Sequence, residues 1–298
     1  METYAAERLA TGFSWTECPR WHDGRFHFSD MYNHRIVALS PAGEAEVLVD
    51  LGDRDALDGA EVVLAGTGFL PDGRLLVNSM FERVVLAVSD GKAELYADLR
   101  GLAAGPINDM VVAADGRAYI TQLGFDLWAG EQPAPSPIII VEPGGAARIA
   151  AGTDHLLGAN GIALTADGGT LVTAEAFAEK IVAFTVGADG ELSDYRLFAD
   201  IGELPDGMCL DAEGAAWVAL PVSSRVLRVA DGGEVLAQVT VPQGEAGCST
   251  ACDLGGDDRK TLYIACGFEV FDFAKSREGA QGSIWTARVD VAGGGTRP

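Results

Sequence analysis

Apolar residues in this chain fall into brief runs of strand length, separated by glycine-bearing turns, and the runs come in pairs. Leu75-Leu76-Val77, Ala118-Tyr119-Ile120-Thr121, Thr170-Leu171-Val172-Thr173, Ala216-Trp217-Val218 and Leu262-Tyr263-Ile264 each precede a second run. The second runs are Val84-Val85-Leu86-Ala87, Ile138-Ile139-Ile140-Val141, Ile181-Val182-Ala183-Phe184, Val226-Leu227-Arg228-Val229 and Ile284-Trp285-Thr286-Ala287. Near the N-terminus, Arg25-Phe26-His27-Phe28-Ser29-Asp30 and Ile36-Val37-Ala38-Leu39 make the same pair. Runs this short, bounded by turn residues, read as brief strands, and no helical periodicity of useful length competes with them.

The turns set the period. Asp23-Gly24, Asp72-Gly73, Asp115-Gly116, Asp167-Gly168, Glu213-Gly214 and Asp257-Asp258 recur roughly every 45 residues, and a further turn such as Asp90-Gly91 or Asp231-Gly232-Gly233 closes most second runs. That repeat holds about four strands, the content of a propeller blade. The chain is therefore expected to be all-β, one six-bladed β-propeller domain over residues 1–298, with four-stranded antiparallel blades. Too little chain follows Ala287 for a last outer strand, so Tyr4 to Thr11 is expected to supply it and close the ring. Two connections are long, Gln122 to Pro137 and Gly267 to Gly282, and carry Phe125, Trp128, Phe268, Phe271 and Phe273. Long ordered loops in such a fold usually serve a site, here as walls or a lid.

Composition narrows the partners. Net charge is −23, which argues against nucleic acid and against anionic membrane surfaces, both of which need clustered basic residues. Neither a targeting segment nor a run of membrane-spanning length is visible. The cysteines, five in number, follow no disulfide framework, so a reducing cytoplasm is the expected location. The sequence leaves the oligomeric state open.

Four polar residues share one place in the repeat. Glu17, Asn108, Asn160 and Asp206 each lie six or seven residues ahead of a turn signal, the position at which an innermost strand begins. Around a common axis, two carboxylates and two carboxamides would make an oxygen-rich site for a hard divalent cation. Strand-end capping is the simpler use of any one of them, because Asn-Gly and Asp-Gly are ordinary turn pairs. Glu175, Asp30 and Gln122, at the ends of second strands, are further candidates to reach the channel mouth. Blade two offers only Ala65 and Gly66 at the inner position, and blade six offers Ser249 and Thr250, a hydroxyl-bearing side. The four histidines show no metal spacing, Cys248 and Cys252 lack a matching pair, and no Gly-x-Ser-x-Gly elbow suggests a serine hydrolase.

At these residues the chain resembles the SMP-30/gluconolactonase/LRE family of six-bladed propellers. The likeness is carried by Glu17-Cys18-Pro19-Arg20-Trp21, Ile107-Asn108-Asp109, Ala159-Asn160-Gly161-Ile162-Ala163 and Pro205-Asp206-Gly207-Met208-Cys209-Leu210-Asp211. The resemblance implies one divalent cation, Ca²⁺, Mg²⁺, Mn²⁺, Zn²⁺ or Fe²⁺, held by Glu17, Asn160 and Asp206, with Asn108 beside it. It implies a small-molecule substrate, most often a sugar lactone that is opened by hydrolysis, with Asp206 and Asn108 as catalytic residues. Asn108, Phe125, Thr250 and Glu175 are the expected substrate contacts. The chain departs from the pattern at Pro106, where some sugar lactonases carry an arginine that grips substrate hydroxyls. That loss keeps open a lyase or isomerase acting on a carbonyl compound in the same site, and a propeller that binds without turnover.

Overall fold

The computed structural model describes residues 1–294. Its strands form six sheets in chain order, numbered here as blades one to six. The innermost strands are Thr16–His22, Leu64–Phe69, Ile107–Val112, Ala159–Leu164, Met208–Leu210 and Cys248–Gly255. Each blade then runs outward through antiparallel neighbours, as in blade four, Ala159–Leu164, Thr170–Glu175, Lys180–Val186 and Leu192–Asp200. The expected turns join first and second strands; at Asp23-Gly24 both residues have positive φ, 46° and 75°, the backbone of a two-residue hairpin turn that follows the strand twist.

The apolar runs are continuous because inner and middle strands are covered on both sides. In Ile138–Val141, Ile139 and Val141 pack toward blade two, while Ile138 and Ile140 pack toward blade four. The core is thus divided into six wedges, one between each pair of adjacent blades. A seventh cluster, which includes Trp15, Tyr32, Met80 and Phe125, covers one end of the channel. Outer strands face water on one side and revert to mixed patterns, as in Leu192–Asp200. None of the described helices is long and apolar enough to cross a membrane.

The N-terminus closes the ring, two to three residues later than expected and with an addition. Glu7–Phe13 pairs antiparallel with Gly282–Arg288 as the outermost strand of blade six. Glu2–Ala5 is a separate strand, parallel to Val235–Thr240, and makes blade five five-stranded. Tyr4 belongs to this second strand; its ring lies 6.3 Å from that of Trp217, and its hydroxyl is 3.0 Å from Asp290 Oδ2. A sequence count finds the strand that blade six lacks but not the parallel addition to a blade already complete.

Because one segment ties blades five, six and one, its removal should act on the whole ring. Deleting residues 1–13 is expected to lower the melting temperature by roughly 10 °C or more, and deleting residues 1–5 by only a few degrees. Thermal unfolding followed by circular dichroism checks both; equal melting temperatures for all three proteins would refute the closure role.

Candidate metal centre

Three of the four inner residues stand where their strands break register; the fourth, Asp206, lies just ahead of Met208–Leu210, its amide donating to the Ala219 carbonyl at 2.9 Å. A bulge lies between Glu17 and Arg20 in blade one, Ile107 and Met110 in blade three, and Ala159 and Ile162 in blade four. Blades two and six carry bulges at corresponding places. A bulge kinks the strand and re-aims a side chain, here toward the axis. It also frees backbone groups from the ladder, and these are met by side chains. Thr67 Oγ1 donates to the Cys18 carbonyl at 2.8 Å, Asn78 Nδ2 to that of Asn108 at 2.8 Å, and Thr173 Oγ1 to that of Gly161 at 3.0 Å.

The glycines after Asn160 and Asp206 have a different reason from turn chemistry. A Cβ on Gly161 would sit 2.5 Å from the Asp206 carbonyl oxygen, and one on Gly207 would sit 2.3 Å from the Ala251 Cβ. Innermost strands four, five and six therefore touch, backbone against backbone. The pairs Asn160-Gly161 and Asp206-Gly207 couple a ligand-type side chain to the close approach that brings it near its neighbours.

Glu17, Asn108, Asn160 and Asp206 line a single cavity of about 230 Å³ at the head of the channel. Asn108 Nδ2 donates to Asn160 Oδ1 at 2.9 Å, and Asn160 in turn hydrogen-bonds Asp206. Glu17 and Asp206 are each 9% exposed, and none of the residues lining the cavity is Lys, Arg or His. Burial raises the Asp206 carboxyl to about 7; the Asp109 charge pushes the same way, and the bond from Asn160 pulls against both. Burial likewise drives Glu17 well above the carboxylate range, with the Asp206 charge as the next cause. Two acids that cannot both ionise cheaply, with two carboxamides and no basic counter-charge, form a donor set that fits a hard cation. The carboxamides are needed for this: among the described residues, no group of three or more His, Cys, Asp or Glu side chains could hold a metal ion.

Other expected contacts lie elsewhere. Thr250 is fully buried, and its hydroxyl donates to the Thr16 carbonyl at 2.7 Å, while that of Ser249 is spent on backbone carbonyls of blade five. Blade six thus presents no free hydroxyl to the cavity. Glu175 accepts from the Leu157 amide and the Tyr195 hydroxyl and pairs with Lys180 at 3.3 Å, so it staples blade four rather than facing the channel. Gln122 bonds Ala104 and Pro137 backbone, and Asp30 holds Ser14 and Arg35, in the same stapling role. Phe125 is buried against Phe177 behind the wall; Leu123, Leu127 and Trp128 of its loop form the wall itself. Phe268 and Phe271 are exposed, whereas Phe273 stacks on Tyr32 at 4.3 Å.

A buried ion pair below the cavity escaped the sequence reading. Arg20 of blade one reaches Asp109 of blade three at 2.8 Å and also donates to the Met110 carbonyl, with both side chains under 10% exposed. Only the pairing of an interior Arg with an interior Asp at homologous bulges could have signalled it. Arg20→Ala is expected to destabilise by about 3–5 kcal/mol, since it strands a buried carboxylate, and Arg20→Met with Asp109→Leu to recover most of that. Denaturant unfolding of the single and double variants measures it; an additive double variant would dismiss the pair.

The raised carboxyls make cation binding compete with protons. A carboxyl whose folded pKa lies above its unfolded value stabilises the fold below the ordinary carboxylate range, and that contribution is lost as pH rises through about 7, the Asp206 value. In chelator, the melting temperature should therefore fall between pH 5.5 and 7.5. Added Ca²⁺ or Mn²⁺ should restore it more at the higher pH, and Asp206→Asn should remove most of both responses. A cation response that is the same in Asp206→Asn would place the ion elsewhere.

Residues 15–267 match the model of the SMP-30/gluconolactonase/LRE-like region. Regucalcin of Xenopus laevis is 36% identical over 93 residues, a stretch that spans 30% of this chain and 30% of that protein. Among solved structures, a gluconolactonase from Xanthomonas campestris superposes with a TM-score of 0.74 at 23% identity, covering 96% of this chain and 89% of that one. A calcium-binding regucalcin from Agrobacterium tumefaciens gives 0.77 at 18% identity, over 98% and 97%. The structural likenesses, at these identities, speak to the fold, whereas the sequence match runs from the strand bearing Glu17 to the second strand of blade six. On that match, the chain belongs to the SMP-30/gluconolactonase/LRE-like family.

Proposed function

We propose that this protein is a divalent-cation-dependent hydrolase that opens a lactone. The observation that carries the reading is the convergence of Glu17, Asn108, Asn160 and Asp206 from four blades on one cavity that no basic side chain lines. Glu17, Asn160 and Asp206 would hold the cation, with Ca²⁺, Mg²⁺ or Mn²⁺ best suited to oxygen donors. Family membership supports lactonase-type chemistry, and the calcium-binding regucalcin of similar fold supports an oxygen-ligated ion. When bound, the ion would polarise the ring carbonyl and acidify water.

The chain's own residues account for the rest. Asp206, unprotonated, takes the proton of the water that adds to the carbonyl carbon. The ring C–O bond then breaks, and the proton passes to the departing alkoxide, giving a hydroxy acid. Asn108, bonded to Asn160, fixes that carboxamide's orientation and leaves its own oxygen to orient water or substrate. The apolar wall above lines one side of the reacting centre with hydrocarbon. Sugar lactones are the substrates that the family resemblance implies.

Asp206→Ala is expected to cut lactone hydrolysis by about 10³-fold or more, to near the uncatalysed rate, while far-UV circular dichroism stays that of the wild type. Acid release on mixing with a lactone panel, with and without chelator, reads the effect. Hydrolysis that survives both the substitution and exhaustive chelation would end this mechanism.

A further inference from the structure

Above its four polar residues, the cavity has no side chain free to bond a polyol. Trp15, Met31, Met80, Leu127, Trp128 and Phe177 supply much of its surface. The side-chain polar atoms of this lining are already engaged, the Trp15 indole with Glu17. The Tyr32 hydroxyl and the Trp128 indole N–H both donate to the Val270 carbonyl at 2.9 Å, and Cys248 Sγ donates to the Gly267 carbonyl at 3.2 Å. Ser249 and Thr250, the nearest hydroxyls in sequence, are spent on backbone carbonyls. Pro106 has no donor to offer.

The same bonds tie the roof together. Val270 sits in the loop of blade six, Trp128 in that of blade three and Tyr32 in blade one, so one carbonyl gathers three blades over the cavity. Phe81 and Phe273 pack beside Trp128, with ring centroids 5.0 and 6.1 Å away, and thicken that roof with hydrocarbon. A sugar lactone under it would bury several hydroxyls against carbon, and an apolar pocket rejects even one added hydroxyl by about 100-fold. An alkyl or aryl group directed away from the four polar residues meets carbon. At about 230 Å³ the space suits a single small ring with a short substituent.

We propose that the substrate is a small lactone with an apolar alkyl or aryl substituent, not a polyhydroxylated one, the roof residues setting this specificity. The inference rests on the lactonase reading of the same site, and two separate readouts keep the two apart. In chelator at mildly acidic pH, tryptophan fluorescence should report δ-nonalactone binding at least about 100-fold tighter than glucono-δ-lactone. With Ca²⁺ or Mn²⁺ restored, acid release should show a similar ratio in kcat/KM. Leu127→Asn, which places a hydrogen-bonding group in a half-exposed part of the wall, should narrow both ratios by about 10-fold, mainly through weaker δ-nonalactone binding. If δ-nonalactone binds selectively and neither lactone is hydrolysed with any cation, the pocket assignment stands and the hydrolase reading fails. If both are hydrolysed with glucono-δ-lactone equal or preferred, the hydrolase reading stands and this proposal is overturned. Failure of both lactones to bind overturns it as well.

Discussion

Six innermost strands must crowd one axis, and the rest of the molecule answers to that constraint. Regular strands cannot come so close without clashing, so the chain removes side chains at Gly161 and Gly207 and bulges where the strands meet the channel head. The bulges free carbonyls that would be costly to bury alone, and threonine, serine and asparagine side chains from adjacent strands take them up. This hydrogen-bonded collar makes the site's backbone rigid before any ligand arrives, which is what precise placement of four oxygen-bearing side chains requires.

The collar works against an electrostatic strain. Glu17 and Asp206 are buried near one another with no basic group at the cavity, and their carboxyls retain protons well above the ordinary range because of it. Lower in the channel the charge is balanced, Arg20 against Asp109. The upper pair, unlike the lower one, lacks a counter-charge, and that is what the proposed cation would supply. The six apolar wedges between blades supply the stability that lets such a centre persist.

The polar positions at strand ends show how unlike uses can share one sequence signal. Asp30, Gln122 and Glu175 end second strands, as Glu17, Asn108 and Asn160 begin first ones. Yet the former bind loop backbone and stiffen the connections that carry the roof. Either use needs a polar residue at a strand terminus, so residue type and register cannot separate them. The loop aromatics divide in the same way: Trp128 forms wall, Phe125 packs behind it and Phe271 is exposed, although all lie in the two long connections.

Strand runs, turn pairs and their spacing were enough to determine the six blades, the outer strand borrowed from the N-terminus and the four polar positions of the channel head. These are properties of period and register, which a linear pattern carries because each blade repeats the same local physics. Only the tertiary structure decided that Thr250 and Glu175 turn away from the cavity, that Glu2–Ala5 joins blade five and that Arg20 meets Asp109. It alone also decided that one carbonyl at Val270 ties three blades together over the cavity. Each depends on which hydrogen-bond partner lies nearest across blades remote in sequence, and that is fixed by the closing of the ring.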